Sequence, residues 1–276
     1  MSDNGRHYVF SGHAIGAAAQ FHRLDELHNL NHVIPTLGAS VLPVTGGLSQ
    51  SNVANYCYRA DKPRKRHLLS VRHIATHAEG RTYEDRFETE VKAEIDAIEV
   101  VEKLHIDRVE VHLLSTRKVD GEAPSIRTKG NKIEGLRLGG VEVKVKLDEE
   151  ALSKCGHKKQ LADYFRGLTE AARRKIAWRF NTPPEATEIQ EHSGHYKCTL
   201  VESIELIGPD EEREKIQIEG GYTLHWPGFG RIILGEVIVG ERSRRVTMVR
   251  LAMGSDAGGT GVIGEGEGNG HISKGH

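Results

Sequence analysis

Residues 87–97 read FETEVKAEIDA, with Glu88, Glu90, Lys92, Glu94 and Asp96 alternating with Phe87, Thr89, Val91, Ala93, Ile95 and Ala97. On a helix a two-residue step turns the chain by ~200°, which would scatter these charges around the axis. On a strand the charges share one face and the apolar residues the other. The Glu, Lys and Ala content favours helix, but propensity is a weak prior against periodicity. The pattern predicts a strand. The alternation slips at residues 98–101 and returns in a new phase at Val109, Val111 and Leu113. A one-residue slip exchanges the two faces, so a connection is expected at residues 103–108, between strands at about 86–98 and 108–117. The preceding piece sets Leu69, Val71, His73, Ala75 and His77 against Leu68, Ser70, Arg72, Ile74 and Thr76. Together these segments predict an antiparallel meander with one wet face.

The same reading extends over residues 1–147, where short apolar runs such as VIPTLGASVLPVTGG are broken by Gly and Pro. In VEVKVKL, Val141, Val143, Val145 and Leu147 share a face. The texture then changes. Residues 148–182 read as a helical insertion, with Asp148 as N-cap and Glu149 and Glu150 in the first turn. Leu161, Phe165, Leu168, Ala172 and Ile176 follow at steps of four and three, with a possible break at Gly156 and a stop at Asn181-Thr-Pro-Pro184. Residues 183–253 return to strands and complete the same domain, including a hairpin of 231–239 against 245–253. Residues 254–276 hold nine glycines and read as a loosely ordered tail. The expected fold is mainly β, an antiparallel sandwich or open barrel with one helical insertion at about 148–181.

Charge narrows the function classes. Lys plus Arg (38) nearly cancel Asp plus Glu (39), which weighs against a general nucleic-acid binder. The basic cluster Lys62, Arg64, Lys65 and Arg66 is the candidate grip on a phosphate backbone, although few aromatics lie near it to stack bases. No apolar run approaches the ~18 residues that span a bilayer, and the start MSDNGRHYVF lacks a secretory h-region, so no membrane partner and a cytoplasmic location are expected. Cys57, Cys155 and Cys198 are odd in number and far apart, which fits reduced thiols.

Sixteen histidines offer metal chemistry. In HRLDELHNLNH, His28 and His32 are four apart, the helical spacing at which two imidazoles share a Zn²⁺, but the HExxH glutamate is missing. His192 and His195 could chelate from a turn. His73 and His77 lie about 13 Å apart along a strand and cannot share one ion. Leu42-Pro-Val-Thr-Gly46 matches a sortase signal in letters only, since no apolar segment and basic tail follow. The glycines of residues 254–270 lack the GK[ST] and strand–turn–helix contexts of phosphate loops. No GxSxG elbow occurs.

Asp107-Arg108-Val109, Gly135-Leu136-Arg137-Leu138, Pro227-Gly-Phe-Gly-Arg-Ile232 and Thr247-Met248-Val249-Arg250-Leu251 resemble segments of an uncharacterised bacterial family of β-rich proteins. The resemblance covers most of the chain beyond residue 60 and implies a cytoplasmic β protein with no activity attached. Function is expected to be non-catalytic: binding, or self-assembly into a homo-oligomer through β edges or sheet faces. The alternative is a metal-binding protein or metal-dependent enzyme using the histidines; a nucleic-acid-associated protein comes third.

Overall fold

The structure is a computed structural model that describes residues 6–23, 32–60, 66–121, 124–153, 155–254 and 258–274. Six long strands come first: β1 (Arg6–Arg23), β2 (His32–Val41), β3 (Gly47–Ala60), β4 (Arg66–Thr82), β5 (Arg86–Val100) and β6 (Leu104–Lys118). Shorter ones follow: β7 (Ser125–Thr128), β8 (Lys132–Glu134), β9 (Leu136–Leu138) and β10 (Val141–Leu147). The helical insertion holds α1 (Glu150–Ser153), α2 (Lys158–Gly167), α3 (Glu170–Ile176) and a 3-10 turn at Ala177–Phe180. Then come β11 (Glu191–His192), β12 (His195–Thr199), β13 (Val201–Ile207), α4 (Asp210–Arg213), β14 (Gln217–Glu219) and β15 (Thr223–Trp226). The last three strands are β16 (Gly230–Val239), β17 (Arg244–Met253) and β18 (Gly258–Lys274).

These strands form two nine-stranded antiparallel sheets packed as a sandwich, without closing into a barrel. The first runs β11-β12-β16-β17-β18-β1-β2, with β15 also on β16 and β14 on β15. The second runs β13-β10-β9-β6-β5-β4-β3, with β7 and β8 also on β6. The meander expected over residues 68–117 is β4-β5-β6, with Val91, Ala93, Ile95, Val109, Val111 and Leu113 buried and the charges outward. The LPVTG segment is the turn by which the chain leaves the first sheet for the second, with the Leu42 N–H donating to Gly12 and the Phe10 N–H to Val44.

The expected loose tail is instead β18, a central strand between β17 and β1. Its sequence from Gly264 alternates like a strand, GEGEGNGH: Gly266, Gly268 and Gly270 are buried while Glu265, Glu267 and Asn269 are half-buried. A Cβ on Gly266 would come within 3.0 Å of Val111, and one on Gly268 within 2.5 Å of Leu113. The missing side chains let the two sheets approach closely where the large residues of β5 and β6 fill the gap.

The phase slip in β5 also has a different cause from the one expected. Residues 104–108 are strand, and the turn lies at residues 101–103. The slip sits inside the strand, where Ala97 is left-handed with φ +50°. Asn55, Arg72, Ala97, Asp107 and Gly135 lie at one level across neighbouring strands, between regular pairs on either side. Asn55, Ala97 and Gly135 have positive φ, one on every second strand of the row. The first sheet carries an equivalent row, Gly38, Gly16, Gly264, Met248 and Gly235, with positive φ at Gly38, Gly264 and Gly235. At each row the inward set changes phase: Val91, Ala93 and Ile95 on one side, Ile98 and Val100 on the other. Both sheets turn a corner there without losing register.

The helical insertion falls where expected, but as three short helices. Asp148 caps α1 by accepting from the Glu150 N–H at 2.9 Å. Thr169 caps α3 by accepting from the Ala172 N–H, so the chain breaks at Leu168 and Thr169 as well as near Gly156. Leu161 and Phe165 are buried, with Phe165 edge-on to Phe180 at 5.2 Å. Arg179 donates to the Asp148 carboxylate at 2.6 Å. The buried Arg244 of β17 donates to the carbonyls of Leu152 and Cys155, which ties the insertion to the first sheet. No helix among the described residues is long and apolar enough to cross a membrane.

Candidate functional site

Two features of the second sheet stand out: its free edge and its wet face. The edge is β3, GLSQSNVANYCYRA, whose 14 residues include a single charge, Arg59, and no proline. Among the described residues it pairs only with β4. The opposite side of its backbone therefore presents a row of N–H and C=O groups to which no described strand is hydrogen-bonded. The neighbouring edge of the first sheet is β2, which carries Pro35 and so cannot pair along its full length. Exposed apolar side chains gather along these two edges: Val33 (58% exposed), Val41 (65%), Val44 (64%) and Leu48 (55%).

The wet face is a cross-strand lattice of charge. Register places Gln50, His77, Lys92 and His112 in one row, and Leu48, Glu79, Glu90, Leu114 and Arg127 in the next. Glu90 accepts from Lys92 at 2.7 Å and from His112 at 2.8 Å. Glu79 takes Arg81 through both carboxylate oxygens and lies 3.2 Å from His77 Nε2. Arg108 reaches Glu94, Asp96 and Glu110. The Arg81 hydrogen bonds hold the Glu79 carboxyl below its ordinary range. Burial pushes the Glu90 carboxyl up, but Lys92 and His112 outweigh it and leave it low as well.

Of the expected metal ligands, His28 lies outside the described residues. His32 donates or accepts at Tyr58 Oη, 3.1 Å from its Nδ1, and so joins the two edges. His192 and His195 do come together, as facing residues of the β11–β12 hairpin. The group of three metal-type ligands that the described residues assemble is elsewhere, at His77, Glu79 and Glu90, whose ligand atoms lie within 4.8 Å of one another. The i, i+2 spacing of His77 and Glu79 was readable; the Glu79–Glu90 pairing depends on register, which the sequence does not display. Lys62, Arg64 and Lys65 lie outside the described residues, and Arg66 begins β4.

The two buried thiols are not activated. Cys155 and Cys198 are buried, and burial pushes the Cys198 thiol up to about 12, far from a thiolate at neutral pH. Cys57 is exposed on β3, with Sγ 3.5 Å from His67 Nδ1.

Comparison with known proteins finds no curated protein and no solved structure that matches. A family match spans residues 8–240, which takes in Asp107–Val109, Gly135–Leu138 and Pro227–Ile232 and stops short of Thr247. On that coverage the chain belongs to the family described as a domain of unknown function (DUF8256).

Proposed function

We propose that this protein is a non-catalytic, self-assembling β protein in which β3 of one copy pairs antiparallel with β3 of a second copy. The observation that carries this reading is the long, nearly uncharged edge of β3, flanked by Val44 and Leu48. Natural edge strands are ordinarily guarded by lysine, proline or a covering segment. Identical strands meeting antiparallel make an isologous contact, so the pairing closes as a dimer and joins two copies of the second sheet. The low charge of β3 spares such a contact like-charge repulsion. Three free thiols support a reducing, cytoplasmic setting, and the resemblance of the chain to bacterial sequences supports a bacterial origin. Gel filtration with light scattering at micromolar protein is expected to give a dimer; a monomer at every concentration would sink the reading.

Metal binding is the second reading, favoured by the His77–Glu79–Glu90 group. An ion there would have to displace Arg81 from Glu79 and Lys92 from Glu90, two cations whose side chains are 47% and 40% exposed and so able to swing away. Elemental analysis of tag-free protein tests it: less than stoichiometric zinc, iron or nickel removes it.

A further inference from the structure

We propose a second, independent site: an oxyanion-binding pocket on the outer face of the first sheet, taking a ligand of the phosphate or sulfate type. The pocket is a half-open hollow of about 580 Å³ lined by His192, Ser193, His195, Lys197, Ser243 and Arg245, with Ile238 and Glu267 completing the wall. Register explains the convergence. Lys197 of β12, Ile238 of β16, Arg245 of β17 and Glu267 of β18 are direct partners on successive strands. Lys197 and Arg245 thus flank the shorter Ile238, roughly two strand spacings apart, and both long side chains can reach over it.

Charge pairing sets this hollow apart from the carboxylate lattice of the second sheet, although Arg72 and Arg127 on that sheet also make no ion pair among the described residues. There Arg81, Arg86, Lys92, Arg108 and Lys132 each hold a carboxylate. In the hollow neither Lys197 nor Arg245 makes an ion pair among the described residues, although Glu267 stands beside Arg245. Two cations, two hydroxyls and two imidazoles therefore line the hollow against one carboxylate, with Glu265 outside the lining but within electrostatic reach of Arg245. The hairpin that supplies the histidines is held in place. Lys158 of α2 donates to the Gly194 carbonyl at 3.1 Å, pairs with Glu191 at 2.7 Å and lies over the Tyr196 ring at 5.1 Å. His195 Nδ1 donates to the Ser193 carbonyl at 2.8 Å, which fixes the ring and leaves Nε2 without a hydrogen-bond partner among the described residues. Charge-assisted hydrogen bonds from a preformed set of donors are the ordinary means of holding such an anion.

Titration with inorganic phosphate at constant ionic strength, followed by the histidine ring resonances in NMR, tests the site. Saturable shifts at His192 and His195 are expected, reproduced by sulfate and not by chloride. K197Q and R245Q should each weaken binding by about tenfold, R245K by less, and K144Q on the second sheet should leave it unchanged. Linear shifts, an equal response to chloride, or full affinity in K197Q would overturn the proposal. So would stoichiometric Zn²⁺ uptake by His192 and His195 on which phosphate binding depended.

Discussion

Gly264 packs where a side chain would strike the opposite sheet. A Cβ there would come 2.8 Å from Val109 Cγ1 and 3.0 Å from Val111 Cγ2, and the φ of +65° disfavours any L residue. Gly264→Ala is therefore expected to destabilise the fold by about 2–4 kcal/mol, combining left-handed strain with overpacking. His271→Gln, exposed on the same strand, should stay within about 0.5 kcal/mol. Urea midpoints distinguish the two, and equal effects would refute the close-packed seam. On the outer side of β18, His13 Nε2 lies 3.5 Å from Glu265. The hydrogen bond to Glu265 holds the imidazole above its ordinary 6.5, against burial. Burial pushes the Glu265 carboxyl up, and His13, Thr247 and Arg245 outweigh it, leaving it below 4.5. A raised histidine stabilises the fold below its unfolded value and ceases to as the pH climbs through the folded one. A depressed carboxyl stabilises above its unfolded value and ceases to as the pH falls through the folded one. A double-mutant cycle of His13→Asn and Glu265→Gln should show its largest coupling at about pH 5.5 and almost none by about pH 9. Coupling that persisted at the alkaline end would contradict a charged pair.

At the scale of the element, the corner rows make an unusual demand on β5. Ala97 adopts a left-handed conformation in the interior of a long strand. Ala97→Gly should raise stability by about 0.5–1 kcal/mol, because the left-handed penalty on alanine exceeds the entropic cost of glycine. Ala93→Gly, four residues earlier, should lower it by about 1 kcal/mol. Thermal melts of the two variants settle the matter by sign. The slip at residues 98–101 was legible in the hydrophobic pattern, but a slip by itself cannot say whether the chain leaves the sheet or bends within it. The strand at 87–97 was legible because charge and apolar groups alternate. In GEGEGNGH the same alternation pairs charge with the absence of a side chain, so a search for apolar faces passes over it. Asp148 as a cap was legible because capping is local. His77, Glu79 and Glu90 were not, since cross-strand register is set by turns and bends far from those residues.

For the whole molecule, the two sheets differ in how their free edges are guarded. Pro35 interrupts β2, whereas β3 has no proline and is broken only by the left-handed Asn55 and a register shift at Tyr58/Arg59. Asn52 and Ala54 are exposed on β3. Replacing both with lysine would set like charges beside one another in an isologous pair and is expected to weaken dimerisation at least about tenfold, with the fold intact by circular dichroism. A dimer unaffected by these changes would place the contact elsewhere.

The position of β18 has a consequence for how the protein comes into being. β18 leaves the ribosome after every other strand, yet its slot lies between β17 and β1. β1, which precedes every other described strand, must wait without its main partner until translation has passed residue 274. The second sheet, whose meander β3-β4-β5-β6 is contiguous in the chain, can assemble while synthesis continues. The first cannot close until synthesis has passed β18, so β1, paired only with β2, keeps its other edge open throughout elongation, the interval in which chaperone capture would matter most.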